Sequence, residues 1–374
     1  MSNVTVNSTV KFCCCAVLSL LLLCEIPEDH LGVDLASRSC TFVPPATATW
    51  EIIKSDGDEH VRLRWDAQRE ALLNWHTVRH NLGGRRIAFV GDSVTRFQYL
   101  NLVHFLAHGA WYSLPPIFEY RDGGMPWSDF FEDTSRRLVT ATAREMCDCV
   151  REGENDAHEN RIFEDSEADL SIAFYFYFHG YSTGGWDTSN LTLTRCIEFV
   201  GCLQGGCAPG TCSGTPHWVA NNYAELLEHV VSSFDAEVII FNSGLWPGSG
   251  FTSHERIRGL LDLAVSLRKH GVKDLIWKTS ARTAFPLNDS RVNQENGWPL
   301  QPGRPERSSL VPALEHNESG WRIFDTYLIT SSLHDAGLSL SRIYFDQVHF
   351  TADINRGLNE ALLLELTPFP TCEK

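Results

Sequence analysis

Residues 86–91, Arg-Ile-Ala-Phe-Val-Gly, form a run that is apolar almost throughout and leads straight into Asp92-Ser93. A strand with no polar alternation is one buried on both faces, so it demands helices above and below its sheet. The runs 236–242 and 273–279 have the same character. Segment 93–108 instead carries apolar residues at helical spacing, with Phe97, Leu100, Val103 and Leu106 on one stripe. Strand-like segments 169–179, 321–325 and 342–345 and helical segments 219–233, 254–270 and 351–366 continue the alternation. The pattern predicts an α/β chain, a three-layer α/β/α sandwich around a mainly parallel sheet. Residues 109–168 and 180–218 read as insertions over the carboxyl edge of the strands. Residues 284–306, rich in Gly and Pro, read as a long loop that could line a groove there.

Ser93 sits where the first of these strands meets its helix. A serine on such a turn exposes its hydroxyl and sets its N–H at a helix N-terminus, where an oxyanion is stabilised. Gly-Asp-Ser is also an ordinary turn, in which Ser93 would only cap the helix. To act as a nucleophile a serine needs a base and a group that orients it. Asp346 and His349, three apart near the C-terminus, offer both, although Asp346 could instead cap the helix predicted from residue 351. Asn242 closes the apolar run Val238-Ile239-Ile240-Phe241. Its amide can donate to an oxyanion or merely close a turn. Together the three segments point to a serine hydrolase or acyltransferase.

The set Gly91-Asp92-Ser93-Val94-Thr95-Arg96, Asn242-Ser243-Gly244-Leu245-Trp246 and Asp346-Gln347-Val348-His349-Phe350 resembles the SGNH superfamily. Within it, the chain is most similar to the PC-esterase branch, which includes plant trichome-birefringence-like polysaccharide O-acetyltransferases and the lumenal domain of the animal sialic acid O-acetyltransferase. That branch is marked by an Arg three residues after the Ser, here Arg96, and by a terminal Asp-x-x-His. The resemblance spans Arg85 to Leu366 and is carried by the motif blocks.

It implies an SGNH-like sandwich in which Ser93 attacks an acyl carbonyl, His349 takes its proton and Asp346 holds the imidazole. The Ser93 N–H and the Asn242 amide would bind the oxyanion. The superfamily's glycine donor has no clear counterpart, with Gly180 and Gly184 as candidates. Arg96 would hold the turn or contact a substrate oxygen, if it is not simply a surface residue of the helix. The resemblance implies transfer of an acyl group, acetyl above all, to a glycan hydroxyl. Hydrolysis of a carbohydrate O-acyl ester and a non-catalytic glycan-binding protein are the alternatives. No cofactor is implied as bound; the acyl donor, acetyl-CoA or an acetylated carrier, would be a co-substrate. A separate membrane protein could supply it. Trp246 is placed to stack on a sugar, whereas Phe174 to His179 reads as a core strand. The lipase elbow Gly-x-Ser-x-Gly is absent, which disfavours an α/β-hydrolase.

Compartment is read from the first residues. Phe12 to Cys24 is apolar, follows Lys11 and precedes Glu25, Glu28 and Asp29. Residues 1–29 therefore read as a cleaved signal peptide or a short signal anchor. Cleavage would give a secreted protein and retention a single-pass type II Golgi protein, and both send the rest into the secretory lumen. Residues 30–84 form an N-terminal lead-in whose Trp50, Trp65, Trp75, Leu63, Leu72 and Leu73 pack on the core, and 85–374 form the catalytic domain. Beyond the apolar leader lie 8 of the 12 cysteines, an even number that suggests disulfides in that compartment. Cys196, Cys202, Cys207 and Cys212 suggest a stapled loop, with Cys147 and Cys149 as further candidates. Their spacing lacks a zinc-type Cys-x-x-Cys pair, so no metal is expected. Asn190, Asn288 and Asn317 lie in glycosylation sequons. The formal charge of −16 argues against nucleic acid as a partner.

Overall fold

The computed structural model describes residues 49–55, 58–112, 142–150, 158–177, 191–193, 218–220, 223–242, 254–284, 314, 319–344 and 348–367. In chain order these form β1 (Thr49–Ser55), β2 (Asp58–Arg64), α1 (Ala67–Leu72), α2 (Trp75–Leu82), β3 (Arg86–Gly91) and α3 (Ser93–His108). Next come β4 (Ala143–Val150), β5 (His158–Asp165), β6 (Leu170–Phe176), β7 (Leu191–Leu193) and β8 (Trp218–Ala220). The remainder is α4 (Tyr223–Phe234), β9 (Val238–Phe241), α5 (His254–Lys269), β10 (Asp274–Lys278), β11 (Arg322–Phe324), α6 (Thr326–Asp335), α7 (Leu340–Ile343) and α8 (Ala352–Leu366).

Seven strands make the main sheet in the order β11-β10-β9-β3-β6-β5-β4. The neighbours from β11 to β6 run parallel, while β5 and β4 add an antiparallel edge. The chain starts the parallel part at β3, moves to β6 on one side, then returns to β9 on the other. The connection therefore reverses between β3 and β9. In open α/β sheets a crevice for ligand opens beyond the carboxyl ends of the strands at such a switch point. Ser93 follows β3 and Asn242 follows β9, so both stand on its rim.

The apolar run of β3 is buried on both faces, as its composition requires. Ile87 and Phe89 pack with Leu100, Val103, Leu358 and Leu362 of α3 and α8. Ala88 and Val90 pack with Leu227, Val230, Leu263 and Leu267 of α4 and α5. Each fully buried Leu, Ile or Phe contributes roughly 1.5–3 kcal/mol, which makes β3 the mechanical centre of the molecule. Phe174, Tyr175, Phe176 and Tyr177 are likewise buried, so the aromatic run of β6 is core and offers no stacking platform.

The β1–β2 hairpin lies against α8. Trp50 Nε1 donates to the Ile329 carbonyl and Trp65 Nε1 to Glu360 Oε2, at 3.1 and 3.0 Å. A Cβ on Gly357 would come within 2.5 Å of the Trp50 ring, so only glycine lets the helix approach this closely.

Two expectations change. Part of 109–168, read as an insertion, is sheet: β4 and β5 pair over Ala143↔Asp165 to Val150↔His158. Their charged residues hide the strand pattern but match across the ladder, with Arg144 Nε donating to Glu164 Oε2 and Arg161 Nη2 to the buried Glu145 Oε2, at 2.8 and 2.7 Å. Of segment 342–345, expected as a strand, the described residues 342–344 are instead the end of α7 and a single bridge, Tyr344↔Phe350. The apolar residues Ile343 and Tyr344 anchor a turn there rather than extend the sheet.

Candidate active site

Why Ser93 is presented follows from how α3 begins. The N-cap is Asp92, whose Oδ1 accepts from Val94 N and Thr95 N at 3.0 and 3.3 Å. Arg96 N donates to the Asp92 carbonyl at 2.9 Å. The capping is thus done by Asp92, and the Ser93 hydroxyl is left for other work. Among the described residues the Ser93 N–H has no hydrogen-bond acceptor, which makes it the one donor of the first turn still open.

Ser93 Oγ lies 2.7 Å from His349 Nε2. A nucleophile–base pair needs contact of this length. For Nε2 to accept the serine proton, the ring hydrogen must reside on Nδ1. The imidazole is only 8 % exposed. Phe97, one helical turn beyond Ser93, meets it edge to face at 4.9 Å between ring centres.

The loop that brings His349 here, 256 residues from Ser93 in sequence, is held on both sides. Tyr344 and Phe350 bridge across it, Thr351 N donates to the Ile343 carbonyl at 2.9 Å, and Asn355 Nδ2 donates to the Phe350 carbonyl at 3.0 Å. The Tyr344 hydroxyl donates to the Arg282 carbonyl at 2.6 Å and contacts His334 Nε2 at 2.8 Å. Burial pushes the Tyr344 phenol well above its ordinary value, so it stays a neutral donor.

Asn242 is buried beside the site. Its Nδ2 donates to the Lys278 carbonyl at 2.8 Å and to Ser280 Oγ at 3.3 Å. To reach an oxyanion the amide would exchange the longer of those bonds. Arg96 is not a surface residue: it is 2 % exposed, with its guanidinium 5.6 Å from the centre of the Phe97 ring and 5.9 Å from that of Phe176. It braces the floor of the turn by cation–π contact.

Behind them stands a residue that the motifs did not reveal. Lys278, the last residue of β10, is 1 % exposed and donates from Nζ to Thr95 Oγ1 at 3.2 Å. Its signal in the sequence is a lone cation closing an otherwise apolar strand.

Asp346, Trp246, Gly180 and Gly184 lie outside the described residues, as do residues 1–48, the three sequons at Asn190, Asn288 and Asn317, and Cys196, Cys202, Cys207 and Cys212. Cys147 and Cys149 lie on β4, but their side chains are outside the description. No described helix is long and apolar enough to cross a membrane, and among the described residues no His, Cys, Asp and Glu gather as a metal site. The arrangement joins a hydroxyl, an acceptor nitrogen and an open N–H at a helix start. Such a set is competent for attack on a carbonyl. Compared with known protein families and with curated proteins, the chain matches neither a family nor a curated sequence.

Proposed function

We propose that this chain is a serine-dependent O-acyl enzyme that transfers an acyl group, acetyl above all, to a glycan hydroxyl in the secretory lumen. The observation that carries the reading is the 2.7 Å contact of Ser93 Oγ with His349 Nε2 at the switch point of the sheet. In the first step Oγ bonds to the acyl carbon of the donor as His349 takes its proton. The carbonyl oxygen becomes an oxyanion against the Ser93 N–H, and one such donor lowers the barrier by roughly 3 kcal/mol. Collapse breaks the bond to the donor's leaving group, which leaves with the proton from His349. In the second step a sugar hydroxyl attacks the acyl-enzyme and gives its proton to His349, and Ser93 is regenerated. Asp346 would fix the Nδ1–H tautomer, Asn242 would be the second oxyanion donor, and Trp246 would stack on the sugar.

The SGNH-like identity of the sandwich, the PC-esterase resemblance and the lumenal location belong to the same proposal. The resemblance is supported by its motif blocks, two of which, around Ser93 and His349, meet in space. The apolar stretch Phe12 to Cys24 and the even set of eight later cysteines support the lumen.

The test is to incubate the full chain with an aryl acetate and follow both product release and an acetyl adduct on the Ser93 peptide by mass spectrometry. Turnover and adduct are expected for the natural chain, with both lost in Ser93→Ala. Turnover that survives in Ser93→Ala would overturn the assignment. Added glycans that accelerate deacylation and acquire the acetyl group mark a transferase, whereas indifference to them marks an esterase.

A further inference from the structure

Three strand ends line up behind the nucleophile. Trp277 pairs with Phe241 and Phe241 with Val90, so the next residues, Lys278, Asn242 and Gly91, stand abreast at the carboxyl edge. Lys278 sends its chain across this row to Thr95 Oγ1 on the first turn of α3. Gly91 keeps the path open, because a Cβ there would stand 2.6 Å from that same Thr95 Oγ1. The ammonium is therefore delivered to the underside of the turn that carries Ser93.

A charge is needed at that place. Asp92, the residue before the nucleophile, is 1 % exposed and presents a carboxylate to the first turn of α3. That carboxylate secures the cap, but it also sets a negative charge beside the point where an oxyanion must form. In a buried site two like charges a few ångströms apart repel strongly.

Resting on the reading of Ser93 as the nucleophile, we propose that Lys278 is a positioning residue that offsets the Asp92 carboxylate, so that Asp92 can cap α3 without opposing the oxyanion at the Ser93 N–H. The geometry gives it little else to do. Among the described residues its ammonium donates to Thr95, and Asp92 is the acidic group whose field acts on it. Burial lowers its pKa to about 8, against the pull of Asp92, so at neutral pH the group still carries most of its charge. Removing one member of such a buried pair leaves the other an uncompensated charge and destabilises the fold, whereas replacing both together is close to neutral.

The test is a charge cycle read by covalent labelling of the full chain with a fluorophosphonate, in which Oγ of Ser93 bonds to phosphorus, fluoride leaves and His349 takes the proton. Lys278→Met is expected to fold with a lowered melting temperature, which the double variant restores, and to label about 30-fold more slowly. The double variant Asp92→Asn with Lys278→Met keeps a capping side chain and removes both charges; it is expected to recover to within about threefold of the natural rate. A merely structural lysine predicts additive losses in the double variant. Labelling of Lys278→Met at the natural rate, or a double variant slower than the single one, would overturn the role of Lys278 alone. Absence of any Ser93 labelling in the natural chain would instead overturn the nucleophile and this proposal with it.

Discussion

The two ends of the parallel sheet handle charge in opposite ways. At the amino end β3, β9, β10 and β11 start at or beside an ion that meets a partner. Arg86 reaches Asp235 at 2.7 Å, Lys273 reaches Glu237 at 2.5 Å, and Asp274 receives both Arg85 and Arg322 at 3.3 and 3.2 Å. Arg85 and Arg322 also donate to the Leu366 and Glu365 carbonyls at the end of α8, both at 2.9 Å. Cations at a helix C-terminus satisfy its last acceptors and its dipole. At the carboxyl end the polar groups of Ser93, Asn242, Lys278 and His349 are placed under the switch point and joined by a few bonds. The first end fastens the helix layer to the sheet, and under the proposed function the second would keep donors and acceptors available to a reacting group. Charge at the amino end should therefore act on stability alone, and at the carboxyl end on rate as well.

The largest test of that division is His349→Ala. Loss of the base is expected to slow Ser93 acylation by about a thousandfold or more, because the hydroxyl then has no acceptor for its proton. The melting temperature should barely move, since the loop is held by Tyr344, Phe350 and Thr351 rather than by the imidazole. Scanning calorimetry beside acylation kinetics checks both halves. A large fall in melting temperature would show that the carboxyl end is a structural clamp as well, and the contrast between the ends would fail.

Arg322→Met is the mirror experiment. It removes the bond to Glu365 Oε2 at 2.6 Å, the contact with Asp274 and the cap on the Glu365 carbonyl. Stability should fall by about 2 kcal/mol, reckoned as one helix-end cation plus a half-exposed pair. The acylation rate should stay within about twofold, since the site is on the opposite edge of the sheet. Urea unfolding with parallel labelling separates the two quantities.

The same contrast explains what could be read from the sequence. Strand runs buried on both faces, such as 86–91 and 273–279, announce themselves because hydrophobic burial is local in its pattern. The helix spans Ser93–His108 as its spacing predicts, although its burial extends well beyond the stripe of Phe97, Leu100, Val103 and Leu106, and the junction at Ser93 follows from Gly-Asp-Ser alone. The meeting of Ser93 with His349 was legible only as two motifs; the contact itself depends on Tyr344 and Phe350 pinning a distant loop. Lys278 was missed because its partners, Thr95 and Asp92, lie 183 and 186 residues away, and no spacing rule joins them. The β4–β5 edge was missed for the opposite reason. Its strands are written in charged pairs, Arg144 with Glu164 and Arg161 with Glu145, that look like a solvated insertion until they are set side by side.

The smallest effects sharpen the comparison in pH. At each end burial moves a group toward its neutral form. Desolvation raises Glu365 to about 7, with Arg322 opposing, and lowers Lys278 to about 8, with Asp92 opposing. Between pH 4.5 and 7 the folded chain keeps a proton on Glu365 that the unfolded chain releases, so this group's stabilisation is full below 4.5 and fades as pH rises to 7. Between pH 8 and 10.5 the unfolded chain holds a proton on Lys278 that the folded chain has released, so here stability grows with pH. Each effect is expected at about 1–3 kcal/mol across its window. Tyr344 works against the second one, because its raised phenol is stabilising only until the unfolded tyrosine ionises near 10. The basic window is therefore best read from pH 8 to 9.5. Subtracting the stability profiles of Glu365→Gln and Lys278→Met from that of the natural chain should leave a falling limb on the acid side and a rising limb on the basic side. Two limbs of the same sign would mean that one end has been assigned the wrong ionisation.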